Sequence, residues 1–212
     1  MPSADMLWTY TLAISLLTLT PGVDTLLVVR NTARGGLKDG LTSSLGICSG
    51  LFIHASLSAV GISLILVQTA WAFSALKWAG AAYLIWLGLT SLRQALKTGE
   101  PVARPVARQP GRFSPRRSLR EGLLSNVLNP KTALFYMAFL PQFIDPSGSA
   151  FAQSMGLAAI HFVIAMVWQS AMAMFVARTR NWQIRAGWKR LLTGLSGSMF
   201  IGLGARLAIT QP

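Results

Sequence analysis

Thr20-Pro21-Gly22-Val23-Asp24-Thr25 interrupts an otherwise apolar stretch that runs from Met6 to Val29. A proline in mid-helix removes a backbone hydrogen bond and clashes with the preceding turn, and the glycine beside it adds freedom. A helix over this span is therefore expected to break between Thr20 and Val23. A second interruption of the same kind, Asn129-Pro130-Lys131, lies inside the stretch from Gly122 to Ile144. Each proline is followed within three positions by an ionisable residue, Asp24 in one case and Lys131 in the other. Two breaks at matching places suggest a chain built of two similar halves.

The surrounding sequence is too apolar for a soluble globule: 52% of its 212 residues are hydrophobic, 12% are charged, and the mean hydropathy is +0.50. Gly40 to Leu76 and Pro146 to Ala177 contain no charged residue, and each has room for a spanning helix of about 20 apolar residues. Met6 to Val29, Ser74 to Gln94, Gly122 to Ile144 and Leu191 to Thr210 bring the expected spans to six. Met1 to Asp5 has no basic segment of the kind that opens a cleavable signal peptide, so the first span is expected to remain in the protein. The single cysteine, Cys48, excludes an internal disulfide, a CxxC pair and a cysteine-based zinc site.

Nineteen Lys and Arg against six Asp and Glu give a net charge of +13, but the basic residues are clustered rather than spread over a nucleic-acid-binding face. Sixteen of them follow expected helices 1, 3 and 5, and only Lys77 and Arg206 fall in or beside the tails and the other loops. The positive-inside rule then makes the three basic segments cytoplasmic and puts both termini on the opposite side. Residues 97–120, with Pro101, Pro105, Pro110 and Pro115 among six Arg, read as a flexible cytoplasmic linker. It separates a first three-helix unit, 1–96, from a second, 121–212, within a single transmembrane domain, 1–212.

The order of features agrees between the halves. The broken helices carry Pro21 and Pro130, the next helices carry His54 and His161, and the third helices carry Gly88 and Gly202-Leu203-Gly204. An odd number of helices per half makes the second half enter the membrane from the opposite side. The expected fold is an all-α membrane protein of six transmembrane helices in two inverted three-helix repeats, an architecture of secondary transporters.

A half-helix that starts inside the membrane presents free N–H groups and a positive dipole end. Thr20, Pro21, Gly22, Asp24 and Thr25 at one break, with Asn129, Pro130 and Lys131 at the other, are therefore the candidate substrate-binding residues. Asp24 and Lys131 each cost about 2.5–3.5 kcal/mol at a helix centre, so each requires a partner or a wet cavity. They could pair with each other, and Asp24 could instead cap its own half-helix. His54 shares a face with Gly46, Gly50 and Ser58, and His161 shares one with Ser154, Ala158, Ala165 and Gln169. The glycines read as a packing seam. Asp24, His54 and His161 are the candidate proton-coupling groups, and either histidine could equally serve as a simple interhelix hydrogen bond.

Thr20-Pro21-Gly22-Val23-Asp24-Thr25 leading into Arg30-Asn31-Thr32-Ala33-Arg34-Gly35-Gly36, Gly80-Ala81-Ala82-Tyr83-Leu84-Ile85-Trp86-Leu87-Gly88, and Asn126-Val127-Leu128-Asn129-Pro130-Lys131 with Phe139-Leu140-Pro141-Gln142-Phe143 resemble the LysE/RhtB family of amino-acid exporters. The resemblance covers nearly the whole chain. Where that family has Pro-Gly-Pro, this sequence has Pro21-Gly22-Val23. The resemblance implies a multi-pass protein of the bacterial inner membrane that exports amino acids or close derivatives of the homoserine, threonine and lysine class. It also implies drive by the proton gradient. Asp24 would face the substrate ammonium, and Lys131 with the half-helix ends its carboxylate.

The implied partners are an amino-acid substrate, protons and membrane lipids, with no nucleic acid and no cofactor, and a homodimer is compatible with the pattern. No nucleotide loop, metal-ligand cluster or nucleophile–base spacing supports an enzyme. A divalent-metal exporter using Asp24, His54 and His161 is the alternative, with a thin ligand set. A non-transporting scaffold would leave both intramembrane charges without a purpose.

Overall fold

The computed structural model describes residues 4–68, 78, 81–82, 85–86, 88–93, 95–96, 113–179 and 186–209. Among these, all regular structure is helical. Helix α1 (Ala4–Leu19) stops where the sequence predicts, and α2 (Val23–Gly35) resumes after Gly22 at a bend of 51°. Helix α3 (Leu37–Gln68) follows at once. Gly36 makes that junction, since its φ of 77° lies in the left-handed region while its N–H closes α2 on the Thr32 carbonyl.

The second half begins with α4 (Pro115–Val127), breaks at Leu128 and Asn129, and resumes as α5 (Pro130–Phe139). Asn129 caps α5 by accepting from the Lys131 N–H at 3.0 Å, and Pro130 occupies the first helical position, where no N–H is needed. A 3-10 turn (Leu140–Phe143), α6 (Ala150–Arg178) and α7 (Ala186–Ile209) complete the described chain. The order short helix, break, short helix, long helix thus occurs twice.

One expectation is corrected here. Residues 97–112 of the expected linker lie outside the described residues, but Pro115 to Arg120 form the first turns of α4 rather than a flexible segment. Pro115 starts the helix instead of breaking it, because it too sits at the N-terminal position that proline tolerates. Ser118 is fully buried and donates to the Asp39 carboxylate on α3. The third expected span, Ser74 to Gln94, falls largely outside the described residues, and those of its residues that are described are helical.

Two described helices, Leu37–Gly61 and Ala150–Arg178, are long and apolar enough to cross a membrane, and the bent α1–α2 pair makes a third if counted as one span. Their faces are arranged for lipid. On α6, Val163 and Val167 are exposed while Ser154, His161 and Gln169 are buried. On α3, Leu57 and Val60 are exposed while His54 and Ser58 are buried. Apolar outside and polar inside is the distribution that hydrocarbon selects.

Close packing positions the breaks. A side chain at Gly46 would strike the Leu119 carbonyl on α4, and one at Gly122 would strike the Ser43 carbonyl on α3, so the two helices touch backbone to backbone. The sequence's small-residue face is this seam. An aromatic core of Tyr10, Phe135, Phe139, Phe143 and Phe200 joins α1, α5, the 3-10 turn and α7, with Phe135–Phe139 and Phe139–Phe143 ring centroids 4.6 and 4.7 Å apart.

At the junction of α2, α3 and α4, charges that the sequence suggests only for topology form a network. Arg34 grips the fully buried Asp39 with Nε and Nη2 at 2.9 and 3.0 Å, and its Nη1 reaches Glu121 at 3.0 Å. Arg30 and the buried Asn31 also donate to Glu121, each at 2.9 Å.

Candidate functional site

The two breaks meet. Asp24 occupies the first turn of α2, at its positive end, yet its carboxylate makes no cap to that helix. It reaches to the other break, where Ser125 Oγ donates to Oδ1 at 2.8 Å and Asn126 Nδ2 and Asn129 Nδ2 donate to Oδ2 at 3.0 and 3.2 Å. Lys131 does the reverse from the first turn of α5. Its Nζ donates to the carbonyls of Leu17 at 3.2 Å and Thr20 at 3.4 Å, groups left without helical partners where α1 ends.

Asp24 and Lys131 form no ion pair with each other. The pairing of Asp24 with Lys131 that the sequence allows is not made, because the lysine side chain is long enough to find other partners. Four methylenes carry Nζ away from the α5 dipole to the carbonyl end of α1, whose potential is negative. Each charge is therefore held by polar groups of the opposite break, which explains how both are retained in an apolar span. Asp24 has about four acceptor positions and uses three, and Lys131 has three donors and uses two. Both keep capacity for a ligand.

That capacity opens onto a cavity of about 50 Å³ lined from six helices. Thr18, Thr20, Gly22, Asp24 and Thr25 come from the first break, Asn126, Asn129, Lys131 and Thr132 from the second, and His161, Ala165 and Gln169 from α6. Ile47 and Leu51 of α3 close one wall. At roughly 10–15 Å³ per water, this conformation holds a few water molecules, and an amino acid requires the walls to separate.

Of the candidate residues, the structure brings Thr20, Gly22, Asp24, Thr25, Asn129, Lys131 and His161 together around the cavity. Pro21 and Pro130 set the breaks but do not line it. His54 is set apart: its Nε2 lies 3.0 Å from the Asn126 carbonyl, behind the cavity wall. His161 reaches Thr18 Oγ1 with Nε2 at 3.2 Å and Tyr136 Oη with Nδ1 at 3.0 Å. Asp24, His54 and His161 do not converge as metal ligands, and no cluster of three such groups occurs among the described residues.

Four polar lining residues, Thr18, Asn126, Thr132 and Gln169, are absent from the sequence-based site. Gln169 shares the face of His161 and Asn126 opens the stretch that ends in Asn129-Pro130-Lys131, but a polar residue inside an apolar span does not by itself separate a cavity wall from a helix contact.

A family model described as LysE type translocator matches residues 15–211. The chain is 33% identical over 199 residues to a homoserine/homoserine lactone efflux protein of Salmonella typhimurium, covering 94% of each chain. It is 30% identical over 196 residues to a threonine efflux protein of Escherichia coli K12, covering 91% of this chain and 92% of the relative. An uncharacterized membrane protein of Bacillus subtilis, YrhP, is 30% identical over 200 residues, covering 92% of this chain and 95% of that one. No solved structure matches the chain.

Proposed function

We propose, from the premise that the chain belongs to the LysE type translocator family, that it is a secondary active exporter of small amino acids or their close derivatives, of the homoserine and threonine class, across the bacterial inner membrane. One observation carries this reading: the charges of both helix breaks, Asp24 and Lys131, line one cavity with donor and acceptor capacity left over. A zwitterion needs this pairing, a carboxylate for its ammonium and a cation with free helix N–H groups for its carboxylate. The names of the efflux relatives support the same substrate class.

In this reading the halves are inverted repeats with both termini periplasmic, and lipid covers the apolar outer face. Rocking of one half against the other exposes the cavity alternately to each side. Outward movement against a gradient is driven by protons, which pass by way of Asp24 or His161. The test is uptake into inside-out vesicles carrying the protein. Labelled homoserine or threonine should accumulate when a proton gradient is imposed, and a protonophore should abolish accumulation. Uptake equal to that of vesicles lacking the protein refutes the function.

A further inference from the structure

Two side chains that line the cavity, Asn126 and Gln169, each keep a buried oxygen that nothing in the protein satisfies. Gln169 on α6 is 6% exposed and lines the cavity, and its Oε1 is fully buried without a hydrogen-bond partner. A desolvated carboxamide without a partner is costly, the more so in a helix crossing hydrocarbon, and such a group calls for an explanation. Asn126 also has an orphaned oxygen, but that atom sits against Gly50 at the α3 seam, and its amide is committed to Asp24. Gln169 has no such commitment. It stands two turns along α6 from His161, with the small Ala165 between them opening space on the same wall.

We propose that Gln169 reads the side chain of the transported amino acid and selects for a neutral one bearing a hydroxyl. The inference rests on the exporter reading above and assigns the remaining part of the substrate. Asp24 and Lys131 account for the two backbone charges, so what faces Gln169 is the side chain. A carboxamide offers a donor and an acceptor that exchange by a half-turn about its last bond, and a hydroxyl is also both. An aliphatic side chain of the same size would leave the carboxamide desolvated and unpaired. A cationic one would share a small cavity with the Lys131 ammonium. Thr18 and Thr132 add hydroxyls to the lining and no further charge.

The test compares isosteres that differ only by hydroxyl against methyl: threonine with valine, and homoserine with norvaline. In inside-out vesicles the wild type should favour the hydroxyl member of each pair by about tenfold in kcat/KM, the size expected when a buried polar group goes unpaired. Gln169→Met, nearly isosteric, should bring both ratios close to one by lowering transport of the hydroxyl substrates. Gln169→Asn should retain part of the preference. The thermal stability of purified Gln169→Met should equal or exceed that of the parent, because an unpaired buried group has been removed.

Unchanged ratios in Gln169→Met overturn the inference while leaving the exporter reading intact. So does a wild type that prefers valine or lysine. A Gln169→Met protein that loses stability and all transport together makes Gln169 structural and also overturns it. If the wild type moves no amino acid at all, the exporter reading itself fails and this inference falls with it.

Discussion

At the scale of residues, the two intramembrane charges are held without each other, which separates their structural and functional roles. Asp24→Asn can keep its contacts, because the new amide oxygen can accept from Asn126 and Asn129 while its nitrogen donates to the freely rotating Ser125 hydroxyl. The variant should therefore reach the membrane in normal amounts. Its transport should fall about 10- to 100-fold, the value of one charge-assisted hydrogen bond of about 1.5–3 kcal/mol. Lys131→Gln keeps a donor for the α1 carbonyls but loses the cation. It should insert near-normally, export poorly and tolerate decarboxylated amine analogues relatively better than the parent does, as competition in the vesicle assay would show. Stability collapsing in Lys131→Gln and restored by adding Asp24→Asn would mark a structural pair instead.

At the scale of elements, the sequence announces the breaks through Pro21 and Pro130 because proline acts locally, within a turn of its own position. It announces neither the partner of each break nor the place of Glu121 in the network at the α2–α3–α4 junction, since those contacts span 87 to 114 residues of chain. Arg34 and Glu121 look like any charges beside a membrane until folding brings them together. Arg34→Met leaves Asp39, fully buried, without its cation, at a cost on the order of 3 kcal/mol read as a lower melting temperature in detergent.

The network also carries a pH dependence. Partial burial pushes the Glu121 carboxyl up, but hydrogen bonds from Asn31 and Arg34 and the charges of Arg34 and Arg30 outweigh it and hold the group below its ordinary range. A folded-state value below the unfolded one means that the stabilisation is complete above about pH 5 and is lost as pH falls through the ordinary Glu range of about 4.3 and beyond. Glu121→Gln should remove that part of the acid sensitivity. For the seam, Gly122→Ala pushes a methyl into the Ser43 carbonyl and should cost about 1–3 kcal/mol. Gly156→Ala, with no atom within 4 Å of the new carbon, should be close to neutral in the same melting experiment.

At the scale of the whole molecule, composition and charge clustering suffice to read an all-helical membrane protein, because hydrocarbon constrains long stretches of sequence at once. The cavity is not legible in that way, since its wall takes one to three residues from each of six helices. The sixteen basic residues of three segments still set a prediction for topology. In a Cys48→Ala background, a cysteine at Ser3 or Gln211 should react with an impermeant thiol reagent outside cells, and one at Gln109 should not. The central claim is that substrate occupies the cavity between the breaks, and the most direct measurement is substrate protection at Thr132, a buried wall residue next to Lys131 on α5. With Thr132→Cys in the Cys48→Ala background, homoserine or threonine should slow alkylation by a small thiol reagent in a concentration-dependent way, and Asp24→Asn should abolish the protection. Alkylation at the same rate with and without an amino acid that the same protein demonstrably exports would contradict the assignment of the site.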